Sequence, residues 1–188
     1  MTVGPEDVLA FWIDEVGESG WYAVDEALDA RIRERFQEAW ERARTGGLDG
    51  WRATPRSCLA LLILLDQFPR NMFRGSAQAF ATDARALAVA KQALRLGHDR
   101  KVEGAARQFF YLPLMHSETV ADQQRSVRLL LLAFGENENL RHARAHRAVI
   151  RRFGRFPYRN AALGRRTTPA EAAWMEGGGY EAALAELG

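Results

Sequence analysis

Residues 54–75 read "TPRSCLALLILLDQFPRNMFRG". Threonine before proline marks a helix start. The hydroxyl caps a free N–H of the first turn, and proline in first position loses nothing by lacking its own. Residues 58–65 then follow as an unbroken apolar run. A helix that is apolar on every side must be enclosed by other helices, so this segment predicts a helical core. The run meets Asp66, where a carboxylate in a last turn faces the negative end of the helix dipole. A cation is expected beside it, and Arg70 and Arg74 stand just downstream. Pro69 is expected to stop the helix, since an interior proline removes a backbone bond and crowds the preceding turn.

Outward from this segment the chain continues to read as helix, with no period-two alternation and no Asn-Gly or Asp-Gly hairpin signal. Pro5 opens a first helix to about Val16, with Val8, Leu9, Phe11 and Trp12 as its apolar stripe. A second covers about residues 24–44, where Leu28, Ile32, Phe36 and Trp40 recur every fourth residue and Gly46 and Gly47 follow. A fourth is expected over about residues 77–96, closed by Gly97, and a fifth over about 103–112, stopped by Pro113. Ser117 is the expected cap of a sixth reaching Phe134, and Asn137 starts a seventh reaching Phe153. "TPAE" at 168–171 is a capping box, with Thr168 as cap and Glu171 reaching back. Such helices with short connections imply an all-α protein of helical hairpins packed in layers. At 188 residues and 21.1 kDa it is read as one domain, residues 1–188.

The net charge of +2 is too small for a protein that coats nucleic acid by bulk electrostatics, so nucleic acid is not an expected partner. Charge is nonetheless uneven. Residues 1–50 hold 12 acids against 5 arginines, and the remainder holds 12 acids against 21 bases. The later part thus surrounds something anionic or pairs with the acidic beginning. Cys58 is the lone cysteine, so neither an internal disulfide nor a cysteine-based zinc set is available. The first residues lack the basic and apolar regions of a signal peptide, and the longest apolar run, residues 58–65, is far short of a membrane span. A cytoplasmic protein with no membrane partner is expected.

Polar residues concentrate toward the carboxyl end. Residues 151–166, "RRFGRFPYRNAALGRR", hold six of the 24 arginines, with three aromatics, one proline and no acid. An even spread would place about two arginines in such a window. Phe68-Pro69-Arg70-Asn71 is echoed here by Phe156-Pro157-Tyr158-Arg159-Asn160. An arginine held on a proline-stiffened turn loses less freedom on binding a carboxylate or phosphate, and its planar fork suits both.

Two polar residues interrupt apolar stripes. Gln124 falls in the series Val120, Val127, Leu131, Phe134, and His146 in the series Val149, Ile150, Phe153. A buried polar residue satisfied by a neighbouring backbone or water is the plain alternative for each. His116, just before the sixth helix, is a candidate acid or base because histidine titrates near neutrality, with Glu118 in the first turn beside it. His142 and His146 have a spacing able to chelate a metal, but no acidic third ligand accompanies them, so no metal is assigned. No phosphate-binding glycine loop, nucleophile elbow or cofactor fingerprint occurs, and no cofactor is expected.

"VLAFW" at 8–12, "LALLILLDQFPRNMFRG" at 59–75, "FFYLPLMHSE" at 109–118 and "RFGRFPYRNAALGRRTTPAE" at 152–171 have a familiar order and spacing. Together they resemble the bacterial domain-of-unknown-function family numbered 924, over nearly the whole chain. The resemblance implies an all-helical architecture similar to tetratricopeptide-repeat-like folds, a right-handed helical array of hairpins, and it brings no known reaction. The family's recurring polar positions correspond here to Asp66, Gln67, Arg70 and Asn71, then to His116, Ser117, Glu118 and Gln124. A third group is His146, Arg152, Arg155, Arg159, Asn160, Gly164, Arg165 and Thr168. Where the family usually has histidine this chain has Tyr158, so chemistry needing an imidazole there is not expected.

These observations predict a pocket for a small anionic ligand. Arg70, Arg152, Arg155 and Arg159 would supply charged hydrogen bonds, Asp66 and Glu118 would hold them, and His116, His146 and Gln124 would line the floor. Asn71, Asn160 and Arg165 join the ligand-binding set through the resemblance. Were a reaction to follow, His116 with Glu118 or Asp66 would be its acid and base, in hydrolysis or transfer on a phosphate or carboxylate. A helical scaffold whose groove clamps acidic peptides or protein partners is the competing function. A buried ion-pair network is the structural alternative, in which every arginine finds an acid or a carbonyl. Single-stranded RNA binding by the arginine–aromatic mix ranks behind these, given the acidic amino-terminal part.

Overall fold

Every element of the computed structural model, over its described residues 2–186, is helical. Residue contacts group the chain into two compact units that divide between Pro113 and Leu114.

The first unit is built around one buried rod. Helix α1 covers residues 5–20 as three joined pieces, Pro5–Leu9, a wider π turn Ala10–Val16, and Gly17–Gly20. Helix α2, Glu26–Arg44, is capped by Asp25, whose carboxylate accepts the N–H groups of Ala27 and Leu28 at 2.8 and 3.2 Å. Helix α3 covers residues 55–72, with Thr54 as cap and Pro55 in first position, as read. Helix α4, Asp83–Leu96, closes on Gly97, whose left-handed backbone (φ 68°) favours glycine.

Helix α3 packs against α1, α2, α4 and the 3₁₀ turn Ala105–Phe110, and residues 61–65 are at most 1% exposed. No side of this stretch reaches water, which is why it is apolar all round. Aromatic rings fill the space beside it. Phe11 and Phe36 are 5.1 Å apart between centroids, Phe36 and Phe68 4.9 Å, and Trp12 and Phe68 5.4 Å. Tilted and edge-on pairs of this kind each add about 0.5–1.5 kcal/mol beyond their burial.

Pro69 does not end α3, contrary to the expectation from sequence. The turn before it, Ile63–Gln67, opens to π spacing, and Phe68–Met72 continues the helix. A proline inside a helix leaves the carbonyl four residues back without its donor. Here that carbonyl belongs to Leu65, and the buried hydroxyl of Thr82 donates to it at 2.5 Å. Thr82 in turn accepts the indole N–H of Trp40 at 3.2 Å. The Asp66 carbonyl takes a guanidinium N–H of Arg70 at 2.5 Å. Side chains thus supply hydrogen bonds where the proline disturbs the ladder.

Other boundaries shift for local reasons. The fourth helix begins at Asp83 rather than near Ala77, because Ala77–Phe80 forms a separate 3₁₀ turn capped by Ser76. The segment expected as a fifth α-helix is the 3₁₀ run Ala105–Phe110, and Pro113 sits within the single turn Leu112–Met115 instead of stopping a helix. The Gln108 amide donates to the Ala105 carbonyl at 2.9 Å, competing for the acceptor that an α-helix would use.

The second unit contains two helical hairpins, α5 (Val120–Phe134) with α6 (Glu138–Phe153), and α7 (Pro169–Glu176) with α8 (Gly179–Ala185). Helix α8 packs against α6, around a core of Val149, Ile150 and Phe156 joined by Phe153, Trp174 and Tyr180. Asn137 caps α6 and accepts the Leu140 N–H at 2.9 Å, and the Thr168–Glu171 capping box opens α7, both as read, while Gly154 closes α6.

Helix α5 differs from its expectation in both start and face. Ser117 and Thr119 both donate to the Asp122 carboxylate, at 2.9 and 2.8 Å, and the backbone at Thr119 is still extended. Thr119 is therefore the cap, and Glu118 lies outside the first turn. The buried face carries Gln123, Ser126, Val127 and Leu130, while Gln124 is exposed. Leucines at 129–132 fit more than one helical phase. The Gln123 amide settles it by donating to the carbonyls of Met115 and Ser117 at 2.6 and 2.7 Å. No helix among the described residues is long and apolar enough to cross a membrane.

Candidate functional site

The candidate residues fall into two sets, one in each unit. In the first, Asp66 is 2% exposed and pairs with Arg70 at 3.3 Å, and Arg70 reaches on to Asp83 of α4 at 3.0 Å. Since α3 runs past Asp66, the cation is there to offset burial rather than a helix end. Asn71 accepts from Gln67 at 3.0 Å and donates to Asp29 of α2 at 2.8 Å. Arg74 closes on the same Asp29 carboxylate, with Nη2 to Oδ1 at 3.0 Å. These contacts tie α3 to α2 and α4.

In the second unit two carboxylates organise the arginine-rich loop. Glu171 accepts from Arg155 through both oxygens, at 2.6 and 2.9 Å, from the Thr168 N–H at 2.8 Å and from Asn160 at 3.3 Å. Arg155 first, then the Thr168 N–H, hold its carboxyl down at about 2. Glu118 accepts the Phe156 N–H at 2.9 Å and Arg165 at 2.8 Å. Burial pushes Glu118 up, but those two bonds and the charges of Arg165 and Arg159 outweigh it and keep it below the ordinary value. Arg159 is buried, donates to the His116 carbonyl at 3.2 Å, and lies 4.4 Å over the Phe156 ring.

A histidine–tyrosine group adjoins this loop. The Nδ1–H of His146 donates to the His142 carbonyl at 2.9 Å, and because a carbonyl only accepts, that bond fixes the tautomer. Tyr180 of α8 has its hydroxyl 2.7 Å from His142 Nδ1 and 3.2 Å from His146 Nδ1. Its hydroxyl accepts from the His146 N–H, which it shares with the His142 carbonyl. Burial, then the neighbouring His116, push the His146 imidazole down to about 3. Held that low, it is neutral at physiological pH. Burial also lowers His142. The His116 and His146 ring centroids are 6.2 Å apart, and Tyr158 stacks on Phe156 at 5.3 Å.

Arg152 differs from the other loop arginines. It is exposed near the end of α6, 5.0 Å from the Phe153 ring centroid, and no acid among the described residues pairs with it. It lines a cavity of about 330 Å³ with Val149, Trp174, Ala182, Ala183 and Glu186. Polar and apolar surface share the walls about equally, with the Arg152 guanidinium as the cation and Glu186 as the carboxylate of the lining.

Sequence reading does not single out Tyr180 or Gln123, and it takes Glu171 only as a cap. Tyr180 follows three glycines in a segment with no distinctive pattern, and its meeting with α6 depends on the α7–α8 hairpin. Glu171 carries the signal of a capping box, which masks its second task as partner of Arg155.

The family described as a bacterial protein of unknown function, DUF924, matches residues 8–179. A solved structure, that of the protein of unknown function ATU0120 from Agrobacterium tumefaciens, is similar at 44% identity with a TM-score of 0.87. That similarity covers 92% of this chain and 96% of the other. No curated protein matches. With the motif order, the all-helical fold and the extent of these matches in agreement, the chain belongs to the DUF924 family of bacterial proteins of unknown function.

Proposed function

We propose that this protein binds a small anionic molecule, of the phosphate or carboxylate type, in the cavity of the second unit lined by α6, α7 and α8. The observation that carries the reading is Arg152, which pairs with no acid among the described residues and lines a cavity with Trp174 and Val149, the one carboxylate of that lining, Glu186, forming no ion pair with it. A charge-assisted bond from the guanidinium would fix the anionic group. The indole and the aliphatic wall favour a ligand with a planar or apolar body. Arg155 and Arg165 hold Glu171 and Glu118, and Asp66 and Glu118 hold arginines. These groups position the loop and the core helices in this reading, so binding, not acid–base chemistry, is the proposed activity.

The test is a thermal-shift screen of the wild type and Arg152→Gln against phosphate, nucleotides, sugar phosphates, dicarboxylates and aromatic carboxylates. A ligand at about a hundred times its Kd stabilises by about 2.7 kcal/mol, a rise of about 5–10 °C for a chain of this size. The expected result is a rise with one ligand class in the wild type and none in Arg152→Gln. A rise retained by the variant places the anion elsewhere, and no rise with any class refutes the reading.

A further inference from the structure

Two helices present matching charge on their outer faces. On α6, Arg144, Arg147 and Arg151 follow at spacings of three and four and so share one face. Arg144 is matched by Glu136 in a two-pronged pair at 2.7 Å, whereas no acid among the described residues pairs with Arg147 or Arg151. Partial burial lowers the Arg147 pKa, and the neighbouring charges of Arg151 and Arg144 add to it. Exposed Ala148 leaves the strip between them flat. On α2, Glu34, Glu38 and Glu41 follow at spacings of four and three. Glu41 is matched by Arg44, whereas Glu34 and Glu38 are exposed and have no cation partner among the described residues. With Ala30 and Gln37 they line a shallow groove of about 600 Å³, from which Arg33 reaches the Met72 carbonyl.

We propose that the α6 arginine ridge docks in the α2 groove of a second copy of this chain, the two helices running antiparallel. In that direction the spacings coincide. Arg151 falls opposite Glu34, Arg147 opposite Glu38 and Arg144 opposite Glu41, so the unpaired charges meet each other and the paired ones lie together at the end. Parallel docking leaves the middle pair a residue out of step. The partner is a second copy because both complementary faces, with the same spacing, belong to this chain. Contacts between exposed charges are weak and screened by salt, so the association belongs to low ionic strength and high protein concentration.

The test is light scattering on the full chain at about 20 mM and about 500 mM salt, where the Debye length falls from over 20 Å to under 5 Å. The expected mass exceeds that of one chain at low salt and returns to it at high salt. A two-chain mass marks a closed pair and a mass growing with concentration an open array, and either carries the contact. Arg147→Glu and Glu38→Arg should each abolish association while melting like the wild type. The chain carrying both reversals should associate again, as should an equimolar mixture of the two single variants. A single-chain mass at low salt overturns the proposal, as does association that survives both single reversals. Were the chain to stay single while a polyglutamate peptide raised the melting temperature of the wild type but not of Arg147→Glu, the ridge would serve another acidic partner and self-pairing would be refuted.

Discussion

Arg152 and Arg155 stand three residues apart and do different work. Arg155 grips a carboxylate that is 3% exposed, and Arg152 lines a cavity with no acid attached. Composition treats them alike; only their partners separate them. Arg155→Ala leaves Glu171 with the Thr168 N–H and Asn160 but no cation, and a carboxylate so enclosed is costly without one. The variant is expected to melt several degrees below the wild type. Arg152→Gln should stay within about 2 °C, as surface substitutions usually cost under about 0.5 kcal/mol. Circular dichroism melts of both proteins check this, and equal melting temperatures would show that the Glu171 pair does not hold the loop.

At the scale of the element, α3 shows how a helix survives an interior proline. The π turn Ile63–Gln67, the Thr82 hydroxyl and the Arg70 side chain together accommodate Pro69. Thr82→Val keeps the shape but deprives the Leu65 carbonyl and the Trp40 N–H of their partner in a buried place. Leaving such groups unsatisfied costs about 1–3 kcal/mol each, so the urea midpoint of Thr82→Val should fall markedly, while Thr82→Ser should recover most of the loss. A midpoint unchanged in Thr82→Val would mean that the helix does not depend on this bond. Helix α5 teaches the opposite lesson. Its existence is plain from composition, yet its face is not, because four consecutive leucines suit several phases and a glutamine, Gln123, supplies the deciding bonds.

For the whole molecule, two groups in the second unit set an acid limb of stability. The His146 imidazole sits at about 3 against an ordinary 6.5, chiefly through burial, so the unfolded chain binds a proton that the folded one refuses. Its contribution is complete above pH 6.5 and is lost as the pH falls toward 3. Glu171, at about 2 against an ordinary 4.5, contributes fully above pH 4.5 and loses its share toward pH 2. Melting temperature should therefore decline from pH 6.5 downward, and His146→Gln should flatten the upper part of that decline. A profile level between pH 6.5 and 4.5 in the wild type would contradict the buried, neutral imidazole.

By itself the sequence determined that this protein is all-helical, where its core rod lies, and how α3, α6 and α7 begin. Those features rest on local rules: apolar periodicity, a capping oxygen, a proline in first position, a glycine at the end. The tertiary structure alone decided which polar residue of α5 is buried, why Pro69 is tolerated, and which loop arginines are engaged. Each of those outcomes depends on a partner outside the residue's own element, as when Gln123 of α5 reaches back to Met115 and Ser117. Thr82 reaches Leu65, Glu171 reaches Arg155, and Tyr180 reaches His142 and His146. A guanidinium or a hydroxyl shows what bonds it can make, but which it makes depends on what folding brings within about 3 Å of it.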